Sequence, residues 1–123
     1  MVNMDRLTVV IAAYNEAKSL PLLQPRIAAL LDSLSADVDG RVLYVDDGSR
    51  DGTWPVLQAL ASADPRIGLL RLSRNFGKEL ALTAGLDRVD EGAVLILDAD
   101  GQDAPELIPQ FVAKWREGYD DVY

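Results

Sequence analysis

Cysteine and histidine are both absent from this 123-residue chain, which removes most of the commoner enzyme chemistries at once. No disulfide, thiol nucleophile, Cys/His zinc site or Ser-His-Asp triad can be built from it. Metal chemistry is left to oxygen ligands, which favour magnesium, manganese or calcium. Positive charge is scarce too: 12 lysines and arginines against 20 aspartates and glutamates leave a net charge of −8. Such a surface repels nucleic acid and anionic membrane. Nucleic acid is therefore not expected as a partner, and an anionic ligand needs a metal or a local cationic pocket. No stretch approaches the ~20 apolar residues of a membrane helix. A signal peptide is not expected, because Met1 to Arg6 is polar and the apolar run Leu7 to Ala13 is short and wrongly flanked. Two nucleotide motifs are missing as well. Gly77-Lys78 is followed by Glu79 and lacks the upstream glycine of a P-loop, and no G-x-G-x-x-G follows the first apolar run.

What is present is an alternation of short β-branched runs with amphipathic segments. Leu7 to Ala12, Arg41 to Val45, Ile67 to Leu72 and Ala93 to Leu97 read as strands. Between them the apolar spacing predicts helices from about Ser19 to Leu34, Thr53 to Ala63, Glu79 to Val89 and Pro105 to Glu117. Thr53 suits an N-cap, Asp39-Gly40 suits a turn, and Pro25 predicts a kink or a later helix start. Gly85 inside a helix costs about 1 kcal/mol relative to alanine, which predicts close packing on the sheet. Strands alternating with helices make a parallel α/β sheet. The expected strand order is 3-2-1-4, whose reversal opens a crevice between Tyr14 to Glu16 and Asp98 to Asp100. The length is that of one domain with a real core. Gly118 to Tyr123 reads as the start of a further strand, so the chain is expected to be a fragment of a longer protein.

The most informative stretch is Val94-Leu95-Ile96-Leu97-Asp98-Ala99-Asp100-Gly101-Gln102-Asp103-Ala104-Pro105, an apolar run that ends abruptly in acids. Carboxylates at Asp98 and Asp100 can converge on one cation, with Gln102 or Asp103 adding an oxygen. A helix-capping loop needs only one of them, for ~0.3–1 kcal/mol of dipole interaction. Clustered like charges disfavour ionisation, and a divalent ion relieves this, so metal binding is the favoured reading. Asp46-Asp47 is evenly balanced between ordinary turn chemistry and a grip on ribose or base. Tyr14 and Glu16 fit either loop packing or base contact. Arg74 to Lys78 brings cations and a glycine to the rim, suited to diphosphate contacts or to a solvated turn.

With those residues in place, the chain resembles the family-2 glycosyltransferases of GT-A fold. Within them it resembles the polyprenyl-phosphate type, the dolichol-phosphate mannosyltransferases and bactoprenol glucosyltransferases. The blocks that carry the resemblance are Val9 to Glu16, Val45 to Thr53, Leu72 to Lys78 and Leu97 to Glu106, in the family's order. It implies a Rossmann-like three-layer sandwich, truncated at its C-terminus, with residues 1–123 as the part that binds a nucleotide sugar. Ala13, Tyr14 and Glu16 then border the nucleobase, Asp47 contacts the nucleoside, and Lys78 lies in the segment lining the donor pocket. Asp98-Ala99-Asp100 becomes the D-x-D element, with Asp100 and Gln102 as ligands of Mg2+ or Mn2+ and Asp98 near ribose or metal. The chain departs from the subfamily at Gly101, where leucine is frequent, and at Ala13 and Ala104, where proline is; the changes at Gly101 and Ala104 loosen the acidic loop.

The implied reaction is inverting transfer of a hexose from a nucleotide diphosphate sugar, UDP-glucose preferred, to a polyprenyl phosphate at the cytoplasmic membrane face. GDP-mannose is the alternative donor. Acceptor and membrane contacts are assigned to regions beyond this chain, which alone is expected to be soluble and to turn over poorly; a homo-oligomer is left open. Two other classes remain in view: a catalytically silent nucleotide-binding or oligomer-forming module, and a nucleotidyltransferase on a similar sheet.

Overall fold

A computed structural model describes residues 5–99, 105 and 107–116 of the chain. The elements run β1 (Asp5–Ala13), α1 (Leu20–Leu34), β2 (Val38–Asp46), α2 (Thr53–Ala63), β3 (Ile67–Arg71), α3 (Lys78–Leu86), β4 (Ala93–Asp98) and α4 (Leu107–Arg116). The four strands form one sheet in the order β3-β2-β1-β4, and every pairing is parallel. This is the order the sequence pattern predicts. β1 is central and covered on both faces: Leu7, Val9, Val10 and Ile11 have no exposed surface, which is why its sequence is continuously apolar rather than alternating.

Strand alternation sorts the core into two layers. Leu7, Val9 and Ile11 of β1 join Val42 and Tyr44 of β2, Leu20 and Ile27 of α1, Leu57 of α2 and Ile108 of α4 on one face. Val10 and Val45 meet Ala81 of α3 on the other. Each large aliphatic side chain so buried contributes about 1.5–3 kcal/mol. The second layer is thin because α3 sits close to the sheet. A Cβ at Gly85 would lie 2.9 Å from both Val10 Cγ1 and Val45 Cγ2, so the helix-weakening glycine is there for the close approach that its sequence position predicts.

Three local expectations change. The Asp39-Gly40 pair is not a turn but part of β2, which begins at Val38 in register with Asp5. Pairing with β1 overrides local propensity, helped by Arg6 Nε and Arg41 Nε, which donate to the Asp39 carboxylate at 3.3 and 3.1 Å. Thr53 is the first residue of α2 rather than its N-cap, a place taken by Gly52. Pro25 lies inside α1, which starts at Leu20, so the later helix start is not taken; Pro25 cannot donate an amide bond there. The strand start expected at Gly118 to Tyr123 lies outside the described residues. Among the described residues no helix is long and apolar enough to cross a membrane.

The α3 packing makes a direct prediction. Gly85→Ala is expected to lower the unfolding free energy by about 1–2 kcal/mol, because overpacking outweighs the ~1 kcal/mol of helix propensity gained. Urea denaturation measures it; a variant as stable as the parent would show that Val10 and Val45 yield.

Candidate functional site

The parallel register brings the carboxyl ends of the strands level: Ala12 pairs with Val45 and Asp98, and Ala13 with Asp46. Above them opens a cleft of about 250 Å³, lined by Ala12 and Ala13 at the end of β1, Tyr14 and Glu16 after it, Asp47 after β2, Asn75, Gly77 and Lys78 before and at the start of α3, and Asp98 and Ala99 at the end of β4. Ala13, Tyr14, Glu16, Asp47, Lys78 and Asp98, chosen from sequence, therefore share one wall-to-wall site. Asp100 and Gln102, the other two candidates, lie outside the described residues. Asn75 lines the cleft within the segment Arg74 to Lys78 that the sequence already assigns to it, although only the cations and the glycine of that segment stand out from sequence. Attention there went to charge, and Asn75 acts through its amide.

The adjacent aspartates at the end of β2, Asp46 within the strand and Asp47 just past it, part company because successive residues of extended chain point to opposite faces. Asp46 is fully buried; its Oδ1 accepts from Ser49 N at 2.9 Å, and Arg71 Nε lies 4.0 Å from Oδ2. The Arg71 guanidinium in turn stacks 5.1 Å from the centre of the Trp54 ring. Asp47 faces the cleft side and is almost as buried. Its carboxylate accepts three hydrogen bonds from one loop: Phe76 N at 2.8 Å on Oδ1, with Gly77 N and Asn75 Nδ2 each at 3.1 Å on Oδ2. Asn75 Nδ2 also donates to the Asp47 carbonyl at 3.2 Å. Hydrogen bonds to an ionised group are worth about 1.5–3 kcal/mol apiece. Close approach of the two loops requires glycine at position 48, where φ is +70° and a Cβ would fall 2.2 Å from the Arg74 carbonyl carbon.

This clamp decides where the cations go. Lys78, the first residue of α3, forms an ion pair with Asp98 across the cleft. Arg74, taken from sequence as a partner cation, instead stacks on Phe76 at 4.6 Å from the ring centre and is not a lining residue. On the β1 side Glu16 Oε2 accepts from Ser19 Oγ at 2.5 Å, and the Glu16 amide donates to Thr53 Oγ1 at 2.8 Å. Asp51 is held below the usual carboxylate range, first by the Thr53 hydroxyl that donates to it and against the opposing effect of burial.

Among the described residues no group of three or more acidic side chains is gathered for a metal. Of the candidate ligands, Asp98 is described: a mostly buried carboxylate at the cleft, already neutralised by a cation. A divalent ion at Asp98 would have to displace the Lys78 ammonium, and oxygen is the ligand class that the composition leaves for it.

A family model described as Glycosyl transferase family 2 matches residues 8–123. The chain belongs to that family. It is 42% identical over 123 residues to an undecaprenyl-phosphate 4-deoxy-4-formamido-L-arabinose transferase of Shewanella sediminis, covering 98% of this chain and 36% of that protein. It is 36% identical over 117 residues to a prophage bactoprenol glucosyl transferase homolog of Escherichia coli, covering 95% and 38%. Among solved structures, a mannosyltransferase of Pyrobaculum calidifontis in complex with GDP-Man and Mn2+ matches with a TM-score of 0.63 at 29% identity, over 80% of this chain and 28% of that one. The fold is thus the GT-A type expected. The chain spans little more than a third of the length of these curated relatives.

The Asp47 clamp is testable on its own. Asp47→Asn turns one acceptor into a donor facing backbone N–H groups, and should cost about 1–3 kcal/mol. Amide exchange at Phe76 and Gly77 should accelerate with it. Unchanged exchange at those two amides would show that the clamp does not hold the loop.

Proposed function

We propose that this chain is the donor-binding part of an enzyme that transfers a hexose from UDP-glucose to a polyprenyl phosphate with inversion. The observation that carries the reading is the convergence of Tyr14, Glu16, Asp47, Lys78 and Asp98 on one cleft at the carboxyl edge of a family-2 sheet, where ligands of open parallel sheets bind. The acceptor class is supported by the relatives, which are a bactoprenol glucosyl transferase homolog and an undecaprenyl-phosphate sugar transferase.

In this reading Tyr14, Ala13 and Glu16 border the base. Asp47 has capacity left on Oδ1, which takes a single bond from Phe76 although an oxygen has two lone pairs; an N–H of uracil or guanine suits it. Lys78 moves from Asp98 to the diphosphate once donor is bound. Asp98, Asp100 and Gln102 hold Mg2+ or Mn2+, which when bound supplies Lewis-acid neutralisation of charge developing on the departing nucleoside diphosphate. A phosphate acceptor is already ionised at neutral pH, so a chain without histidine needs no general base for it. Acceptor and membrane contacts, on the cytoplasmic face, belong to the part of the relatives that this chain does not span. GDP-mannose is the second donor to weigh, because the Pyrobaculum calidifontis neighbour was solved with it.

Calorimetric titration of UDP-glucose and GDP-mannose, each with and without Mn2+, tests the reading. The expected result is metal-dependent binding, tighter for UDP-glucose, that Asp100→Asn abolishes while circular dichroism stays unchanged. Binding of neither donor in the presence of metal would refute it; unaltered affinity of the variant would reassign Asp100 to helix capping.

A further inference from the structure

The loops that follow β1 and β2 are laced together through Asn15. Its amide donates to Ser49 Oγ at 2.9 Å, and its Oδ1 accepts from Arg50 N at 2.9 Å and Asp51 N at 3.3 Å. The lacing continues with Glu16 N on Thr53 Oγ1 at 2.8 Å and Ala17 N on Asp51 Oδ2 at 3.4 Å. Among the described residues Asn15 is the non-glycine residue with positive φ, +54°. Asparagine tolerates that left-handed conformation better than most side chains, and here its carboxamide bonds across to the neighbouring loop.

The geometry has a consequence for the residues on either side. Tyr14 and Glu16 both line the cleft, whereas Asn15 does not; its side chain is committed to the Arg50 and Asp51 amides. The left-handed turn at Asn15 sets the direction in which the chain leaves Tyr14 and enters Glu16. Tyr14 is 41% exposed, so packing alone does not fix it. We propose that Asn15 is a positioning residue: by locking the β1–α1 loop onto the β2–α2 loop, it holds Tyr14 and Glu16 on the cleft wall and sets nucleotide affinity without touching the ligand. This rests on the donor-site reading only for what Tyr14 and Glu16 contact.

Variants of position 15 separate the two properties of asparagine. Asn15→Asp keeps an acceptor and tolerance of the left-handed region, Asn15→Gly keeps the conformation alone, and Asn15→Ala keeps neither. Affinity for UDP and for GDP in Mn2+ would be measured well below each melting temperature, alongside amide exchange and chemical shifts. Asn15→Ala should weaken the nucleotide that the parent binds by roughly tenfold, Asn15→Gly by less, and Asn15→Asp by no more than about threefold. Exchange at Arg50 and Asp51, and the amide shifts of Tyr14 and Glu16, should change in the Ala and Gly variants and be restored in Asp. A purely structural role would lower the melting temperature and leave affinity of the folded protein intact; that result overturns the proposal, as does an Asp variant no better than Ala. If the parent binds neither nucleotide the donor-site reading fails, and the shifts of Tyr14 and Glu16 still decide: unmoved in Asn15→Ala, they overturn the positioning role.

Discussion

The Asp47 carboxylate is the interaction on which the rest of the site depends. A buried carboxylate with no ion pair among the described residues is costly unless hydrogen bonds replace its hydration, and Phe76, Gly77 and Asn75 supply them. The exchange works in both directions. The loop before α3 gains a fixed shape, and α3 begins where Lys78 can face Asp98. Removing the carboxylate would release the loop and the cation with it, so a residue expected to meet ligand directly also shapes the opposite wall.

The adjacent pair Asp46 and Asp47 shows how a two-residue motif is divided by strand geometry. One carboxylate turns toward α1 and α2 and ties down the Ser49 turn; the other turns toward α3 and ties down the neighbouring loop. The loops after β1 and β2 are joined by backbone donors and short polar side chains, and those after β2 and β3 by a carboxylate. Rigid strands therefore present a cleft whose walls hold one another.

Much of this was legible beforehand. The strand order, the crevice beside β1 and the placement of Tyr14, Glu16, Asp47, Lys78 and Asp98 around it follow from apolar runs that stop at polar loops, because a parallel sheet aligns its strand ends whatever the side chains; Ala13 was pointed to by the family resemblance alone. Gly85 was legible because a glycine that weakens a helix needs a packing reason. What could not be read were the partnerships. Arg74 and Lys78 look alike as charges, yet one stacks on Phe76 and the other reaches Asp98, a difference set by the turn between them. Asp39-Gly40 has turn propensity that pairing with β1 overrides. Asn15 carries no charge, and its role arises from a positive φ and from amides 35 and 36 residues away in sequence.

With a net charge of −8, the donor site proposed above needs Lys78 and a divalent ion to offset the aspartates before an anion can enter. Paramagnetic relaxation by Mn2+ added with nucleoside diphosphate tests this most directly, since broadening falls steeply with distance from the metal. The expected result is strongest broadening at Lys78, Asp98 and Ala99, with the amides of Leu31 and Ala63, toward the far ends of α1 and α2, unaffected. Broadening centred away from the carboxyl edge of β4, or unchanged by nucleotide, would contradict a metal-diphosphate site between Lys78 and Asp98.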